Sequence, residues 1–290
     1  MKKSYTFISL FFFTFLVISC QNQPNGDMTE GKLCCSIENK ATASFASFAS
    51  DPAFLNKHEA PESIDFKPAL GEDITFKATD GQDAKAFLVK SKKKTNKYLF
   101  VIHEWWGLND YIKKEAEKFA KDLGAVHVLA LDLYDGKLAT TPEDAGKYMQ
   151  ATKAERAEAI IKGAIAYAGD QARIATVGWC FGGGWSLQSS LIAKDQAVAC
   201  IIYYGMPEKD KEKLKNLKPD VLGIFATEDA WINNQVVSDF EAAMKEVGKN
   251  VEIKSYKADH AFANPSNPKY NKAFAEDAYT YSIKFLKKRL

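Results

Sequence analysis

The sequence predicts an α/β domain in which a mostly parallel sheet is covered by helices on both faces. Two observations lead there. Short continuous apolar runs, such as "KYLFVIHEW" (97–105), "AVHVLALDLY", "ARIATVGWC", "AVACIIYYG" and "DVLGIFATE", have the length and β-branched content of strands buried on both sides. Helical periodicity fills most of the intervals between them, and alternating strand–helix units imply parallel strands joined by crossovers. About 230 residues follow position 62, enough for one domain with a sizeable core.

Taken in order, "DITFKAT" and "DAKAFLVK" read as an opening antiparallel pair, with the turn residues Asp80 and Gly81 between them. The run at 97–105 is the first long buried strand. In "NDYIKKEAEKFAKDLG", Ile112, Ala116, Phe119 and Ala120 share one helical face, Asn109 is placed to cap the start and Gly124 the end. "AVHVLALDLY" is the next strand, and the alanine-rich stretch 142–169 is helical. "ARIATVGWC", "FGGGWSLQSSLIA" and "AVACIIYYG" give strand, helix, strand. "DVLGIFATE" is a further strand, Val236–Val247 carries helical spacing, "NVEIKSYKA" is a late strand, and a last helix runs from about Tyr270 to Arg289.

Upstream of this domain the chain reads as an export leader. Lys2 and Lys3 precede an apolar run from Tyr5 to Ile18, which is short for a membrane-spanning helix and suits a signal peptide. It ends in "LVISC", similar to the lipobox of bacterial lipoproteins, which implies lipid modification at Cys20. The expected layout is therefore a signal peptide over 1–19, a tether or leader over 20–62 and the α/β domain over 63–290. The expected location is exported and anchored to a bacterial membrane, on its periplasmic or cell-surface side. Phe45 and Phe48 have no use in a free tether, so they are expected to dock the leader onto the domain.

Lys and Arg together number 39 against 37 Asp and Glu. Removing Lys2 and Lys3 with the signal peptide leaves 37 against 37, a net charge of zero, which argues against a nucleic-acid partner. Of the five cysteines, Cys34 and Cys35 are adjacent in the leader, and Cys200 sits in a buried-strand pattern where a packed thiol is expected. No spacing suggests a zinc site, and no cofactor is expected.

Cys180 stands apart. In "GWCFGGG" it joins a buried strand to a helix, with Gly178 two residues before it and Gly182 two after. This is the G-x-nucleophile-x-G elbow with cysteine in place of serine. A helix N-terminus favours a thiolate, and the Phe181 amide points where an oxyanion would form. The competing reading is a small packed thiol. A nucleophile needs a base, and the base an orienting acid. Asp229 in "ATEDAWIN" and His260 in "KADHAF" both follow strands, in the chain order nucleophile, acid, histidine. Asp229 could instead be a helix cap and His260 a solvated loop residue, while Glu228 and Asp259 compete for the acid's role.

These segments carry a resemblance. "HEWWGLN", "GWCFGG", "ATED" and "DHAF", in that order over roughly Asp73 to Leu290, resemble the dienelactone hydrolase family of α/β-hydrolases. The resemblance implies the α/β-hydrolase fold and cleavage of small ester or lactone substrates through a thioester on Cys180. It implies that Glu104 interacts with the thiol and helps generate the thiolate, and that Trp105 supplies the second oxyanion N–H. Members acting on dienelactone hold the substrate carboxylate with arginines, one shortly after the histidine. Here "HAFANPSNPKYNK" has Asn264 and no arginine, leaving Lys269 and Lys272 as candidate charges. All five tryptophans adjoin the motifs (Trp105, Trp106, Trp179, Trp185 and Trp231), which suggests an aromatic, weakly charged pocket with Trp106 and Trp231 in substrate contact. A non-catalytic lipid-anchored binding protein on the same scaffold is the alternative. Thiol-exchange chemistry is weakened by the lack of a C-x-x-C pair at Cys180.

Overall fold

The computed structural model describes residues 40–290; the expected signal peptide, Cys20, Cys34 and Cys35 lie outside the described residues. The strands are β1 (Glu72–Lys77), β2 (Asp83–Val89), β3 (Lys97–Ile102), β4 (His127–Leu131), β5 (Arg173–Trp179), β6 (Ala197–Tyr203), β7 (Asp220–Ala226) and β8 (Val251–Tyr256). They form one sheet in the order β1-β2-β4-β3-β5-β6-β7-β8. β1 and β2 pair antiparallel, as do β2 and β4, and every later pairing is parallel. The central strands are apolar throughout and buried at almost every position, as double-sided coverage requires.

The helices are α1 (Lys40–Ser47), α2 (Pro52–Asn56), α3 (Asp110–Leu123), α4 (Pro142–Ala151), α5 (Ala154–Ala168), α6 (Phe181–Ala193), α7 (Lys211–Lys215), α8 (Asn234–Glu246) and α9 (Lys272–Arg289). α3 begins and ends as its caps dictate: Asn109 Oδ1 accepts from the Ile112 amide at 3.2 Å, and Gly124 follows with φ of 78°. The stretch 142–169 is two helices rather than one. Thr152 turns extended, its amide bonded to the Met149 carbonyl, and α5 starts afresh at Ala154. α3 packs with α9, and α5 with α6, so two helical groups cover the sheet.

α6 is the helix that positions the site. Eleven of its thirteen residues are buried, so it has no solvent face and must satisfy its polar groups internally. The Ser186 hydroxyl bonds the Ile201 carbonyl at 2.8 Å and lies 2.8 Å from Thr176 Oγ1, tying the helix to β5 and β6. Cys200, buried in β6, lies 3.7 Å from the same hydroxyl and is a packed thiol.

Residues 40–58, placed in the leader from sequence, are folded onto this body. α1 and α2 flank a 3-10 turn at Phe48–Ser50. α1 contacts α4 and α6, and α2 contacts α4. Asp51 caps α2 by accepting from the Ala53 amide at 2.9 Å. Phe45 and Phe54 are buried in the common core, so the ring docking expected of Phe45 occurs and is completed by Phe54. No described helix is long and apolar enough to cross a membrane.

Candidate active site

Cys180 ends β5 and caps α6 with φ 55° and ψ −120°, a backbone conformation that only a strongly determined turn sustains in a residue with a side chain. Its surroundings explain the flanking glycines. A Cβ at Gly178 would lie 2.0 Å from the Gly182 carbonyl oxygen, and one at Gly182 would lie 2.3 Å from that of Ile102. The turn therefore brings backbone against backbone, and both positions exclude any side chain. The Cys180 amide bonds the Tyr203 carbonyl at 2.9 Å and its own carbonyl accepts from Gly183 at 3.0 Å, so the strained residue is fixed at both ends.

Asp229 lies three residues beyond β7 and His260 four beyond β8, both at C-terminal strand ends. Their side chains meet: His260 Nδ1 donates to Asp229 Oδ2 at 2.6 Å, and both are buried. Asp229 Oδ1 accepts from the amides of Trp231 and Ile232 at 2.9 Å each, so the carboxylate is fully used. Burial opposes both charges. The Asp229 carboxylate nonetheless holds His260 well above its ordinary value, and His260 with the two amides holds Asp229 below its own. Glu228 is exposed. Asp259 instead accepts from the His260 amide at 2.8 Å and pairs with Lys269 and Lys57. Neither is the carboxylate that meets the imidazole.

His260 Nε2 faces the thiol, with Cys180 Sγ within 4.8 Å. Burial raises the Cys180 thiol above its ordinary value, and the nearby imidazole and the Phe181 amide pull the other way without reversing it. Desolvation thus works against the thiolate expected at a helix N-terminus.

Glu104, two residues beyond β3, is buried; its carboxylate accepts from the Tyr204 hydroxyl at 3.4 Å and from the Asn264 amide nitrogen. Burial pushes its carboxyl up to about 7. Asn264 therefore binds the glutamate at the position where the resemblance led to an arginine. A cavity of about 300 Å³ reaches Glu104 and Asn264 between α3 and α9, with Trp179, Tyr203 and Tyr279 among its walls. His103 is structural, its Nε2 accepting from the Leu133 amide at 3.1 Å, and His127 stacks on Tyr98.

The tryptophans do not line one pocket. Trp105 and Trp231 flank α2, with Phe54 edge-on to both at 5.1 and 5.0 Å, and Trp106 packs behind Trp105 at 4.9 Å. Trp179 packs on Phe119 and Tyr203, and Trp185 on Phe181, within the core. The space expected to be an aromatic pocket is occupied by the folded leader. Phe45 stacks on His260 at 6.2 Å, and Asp51 accepts from Trp231 Nε1 at 3.1 Å.

Sequence reasoning passed over His58 as a leader residue. It is buried, 5.3 Å from the His260 ring, and its Nδ1 donates to the Phe54 carbonyl at 2.6 Å. Burial and the adjacent His260 lower it to about 3, so it is a neutral imidazole. Tyr204, with φ 35° just beyond β6, was also missed. The "YYG" at that strand end was its only local signal.

Residues 84–290 match the profile of the dienelactone hydrolase family. The chain belongs to that family. It is similar to Protein usf of Aquifex pyrophilus, 31% identical over 205 residues that cover 66% of this chain and 88% of that one. It is also similar to a carboxymethylenebutenolidase of a Pseudomonas strain, 26% identical over 47% of this chain and 58% of that one. Among solved structures, the dienelactone hydrolase-like promiscuous phosphotriesterase P91 from metagenomic libraries superposes with a TM-score of 0.66 at 17% identity, covering 76% of this chain and 99% of that one. Its fold is the α/β-hydrolase fold, and family membership makes the chain a hydrolase acting on ester or lactone bonds.

Proposed function

We propose that the chain hydrolyses neutral carboxylic esters or lactones through Cys180, His260 and Asp229. The observation that carries this reading is the buried 2.6 Å Asp229–His260 pair facing a cysteine on a left-handed elbow. In the proposed first step the Cys180 thiol proton passes to His260 Nε2 as sulfur adds to the substrate carbonyl. The tetrahedral oxyanion is received by the Phe181 and Trp105 amides. The ester C–O bond then breaks, the alcohol oxygen takes the proton from His260, and an acyl thioester remains on Cys180. Water, deprotonated by His260, adds to the thioester; the C–S bond breaks and the thiol is re-formed with the acid released. Asp229 holds the imidazole in the required tautomer. Glu104, part-protonated near neutrality, is assigned proton exchange with the thiol, and Trp231 is assigned substrate contact once Phe54 is displaced from it, while Trp106 stays packed behind Trp105.

The test is hydrolysis of an aryl-ester and lactone panel by the full chain. Cys180→Ala is expected to abolish turnover with an unchanged circular dichroism spectrum. Activity within tenfold of the unsubstituted protein would remove Cys180 as nucleophile. We also propose that the protein is exported and lipid-anchored through Cys20, on the strength of "LVISC" after a charged, apolar start. Mass spectrometry of the mature N-terminal peptide is expected to show a diacylglyceryl-modified cysteine, and an unmodified Cys20 would leave a protein without that anchor.

A further inference from the structure

Three buried side chains from distant parts of the chain converge at the centre of the molecule: His58 beyond α2, Cys180 at the elbow and His260 beyond β8. Their donor atoms, two imidazole nitrogens and one sulfur, lie within 4.8 Å of one another. We propose that these three residues form a binding site for a soft monovalent metal ion, Cu(I). The site needs no catalytic reading of Cys180, because it rests only on the donor set.

Each imidazole is prepared as a ligand by what holds its other nitrogen. His260 Nδ1 donates to Asp229 and His58 Nδ1 to the Phe54 carbonyl, both at 2.6 Å. Neutral His58 therefore turns the lone pair of its Nε2 inward, and His260 Nε2 does so once it gives up its proton. Metal-bound histidines are oriented in this way, with the second nitrogen given to a carboxylate or backbone carbonyl. His58 Nε2, fully enclosed, has no hydrogen-bond partner among the described residues, and His260 Nε2 has the Cys180 thiol as its neighbour. A buried nitrogen left unpartnered destabilises the fold, and a bound cation would remove that penalty.

The donor chemistry selects the metal. A thiolate with two imidazoles is a soft set that suits copper and zinc and disfavours magnesium or calcium. Zinc held by three protein ligands keeps a fourth position for a water, whereas Cu(I) accepts three donors alone, and the buried cluster offers three. Bonds of about 2.0 Å to nitrogen and 2.3 Å to sulfur place the donors of a trigonal site roughly 3.5–3.8 Å apart. The donors, all within 4.8 Å of one another, must therefore close by about 1 Å at most. On binding, the S–H bond is replaced by an S–Cu bond and the thiol proton leaves to solvent; where His260 is protonated, its Nε2 proton leaves as well and the N–Cu bond takes its place. The copper keeps its oxidation state. The bound ion would tie residues 40–58 to the elbow and to the His260 loop, adding to the Lys57–Asp259 ion pair between the first and last of these, and would withhold the thiol from carbonyl attack.

The experiment is anaerobic titration of the full chain with Cu(I) in ascorbate, in competition with the chromophoric chelator bicinchoninate. Cys34 and Cys35 are replaced by serine in every sample, because adjacent thiols bind Cu(I) by themselves. Removal of one equivalent from the chelator is expected. His58→Gln and Cys180→Ser are each expected to weaken binding at least 100-fold, while Cys200→Ser leaves it unchanged. Thermal unfolding is expected to shift upward with one equivalent of Cu(I) in the parent and not in His58→Gln. X-ray absorption on the parent protein is expected to show two nitrogen neighbours and one sulfur, which keeps the question open to refutation if a variant fails to fold. No removal of Cu(I) from the chelator, equal binding by His58→Gln, or a coordination shell of sulfur alone would each overturn the proposal. No ester is used, so these outcomes stand apart from whether Cys180 is a hydrolytic nucleophile.

Discussion

Glu104 is a carboxyl whose protonation is set by its surroundings rather than by a charge partner. Cys180, His260, Tyr204 and Asn264 face it, and burial raises it from an ordinary 4.5 to about 7. A carboxyl raised on folding binds its proton more tightly in the native state. Its contribution to stability is fully present below pH 4.5 and is lost as the pH rises through about 7. The integrated effect is on the order of 3 kcal/mol at most. Chemical unfolding of the parent and of Glu104→Gln between pH 5 and pH 8 checks this: stability relative to the variant is expected to fall with rising pH, and a flat difference would show that Glu104 does not titrate in this window. At this scale the sequence was unevenly legible. Cys180 was marked by glycines that backbone contact demands, and Asp229 and His260 by their places after strands. His58 carried no local mark, since its role as a neighbour of His260 arises only when residues 40–58 fold back over the elbow.

Among the elements, the strands and the long helices were readable because burial and period are local properties. Asn109, Gly124 and the Asp80–Gly81 turn fixed boundaries that the structure reproduces within a few residues. The short elements were not readable. α2 spans Pro52–Asn56 and α7 spans Lys211–Lys215, each too brief to show a helical period, and both are started by aspartate caps. α2 matters most, because it delivers Phe54 into the aromatic cluster around His260. Phe54 is fully buried. Phe54→Ala is expected to cost about 3–5 kcal/mol by lost transfer energy and the cavity left behind, read as a lowered denaturation midpoint. A loss under about 1 kcal/mol would mean that residues 40–58 detach before the domain unfolds.

For the whole molecule, the strand order could not be read from local pattern. That β4 lies between β2 and β3 is a property of how the sheet closes over its core, not of any one run of residues. Charge distribution, by contrast, follows from the residues and has a functional consequence. All three arginines are committed away from the elbow: Arg156 to Asp80 and Asp135, Arg289 to Asp220, and Arg173 to the Arg289 carbonyl. Lys269 pairs with Asp259 and Lys272 with Glu276. A substrate carboxylate would be desolvated without a bidentate partner, so neutral lactones are expected to exceed carboxylated analogues in kcat/KM by tenfold or more. The reverse preference by tenfold, about 1.4 kcal/mol of transition-state binding, would show that Lys269 or Lys272 swings to the site.

The folded leader also bears on how much substrate the site would need. Cys180 and His260 are each no more than 3% exposed, with Phe45, Phe54 and His58 packed around His260; under the proposed mechanism, a substrate entering from that side would reach the thiol only in the fraction of molecules in which residues 40–58 have lifted. Apparent affinity is the intrinsic affinity multiplied by that fraction. Every tenfold loss in the open population therefore raises KM tenfold with the chemistry untouched. Stability and apparent affinity would thereby be set against each other: whatever strengthens the packing of Phe54 would make the protein harder to unfold and raise the substrate concentration needed to saturate it.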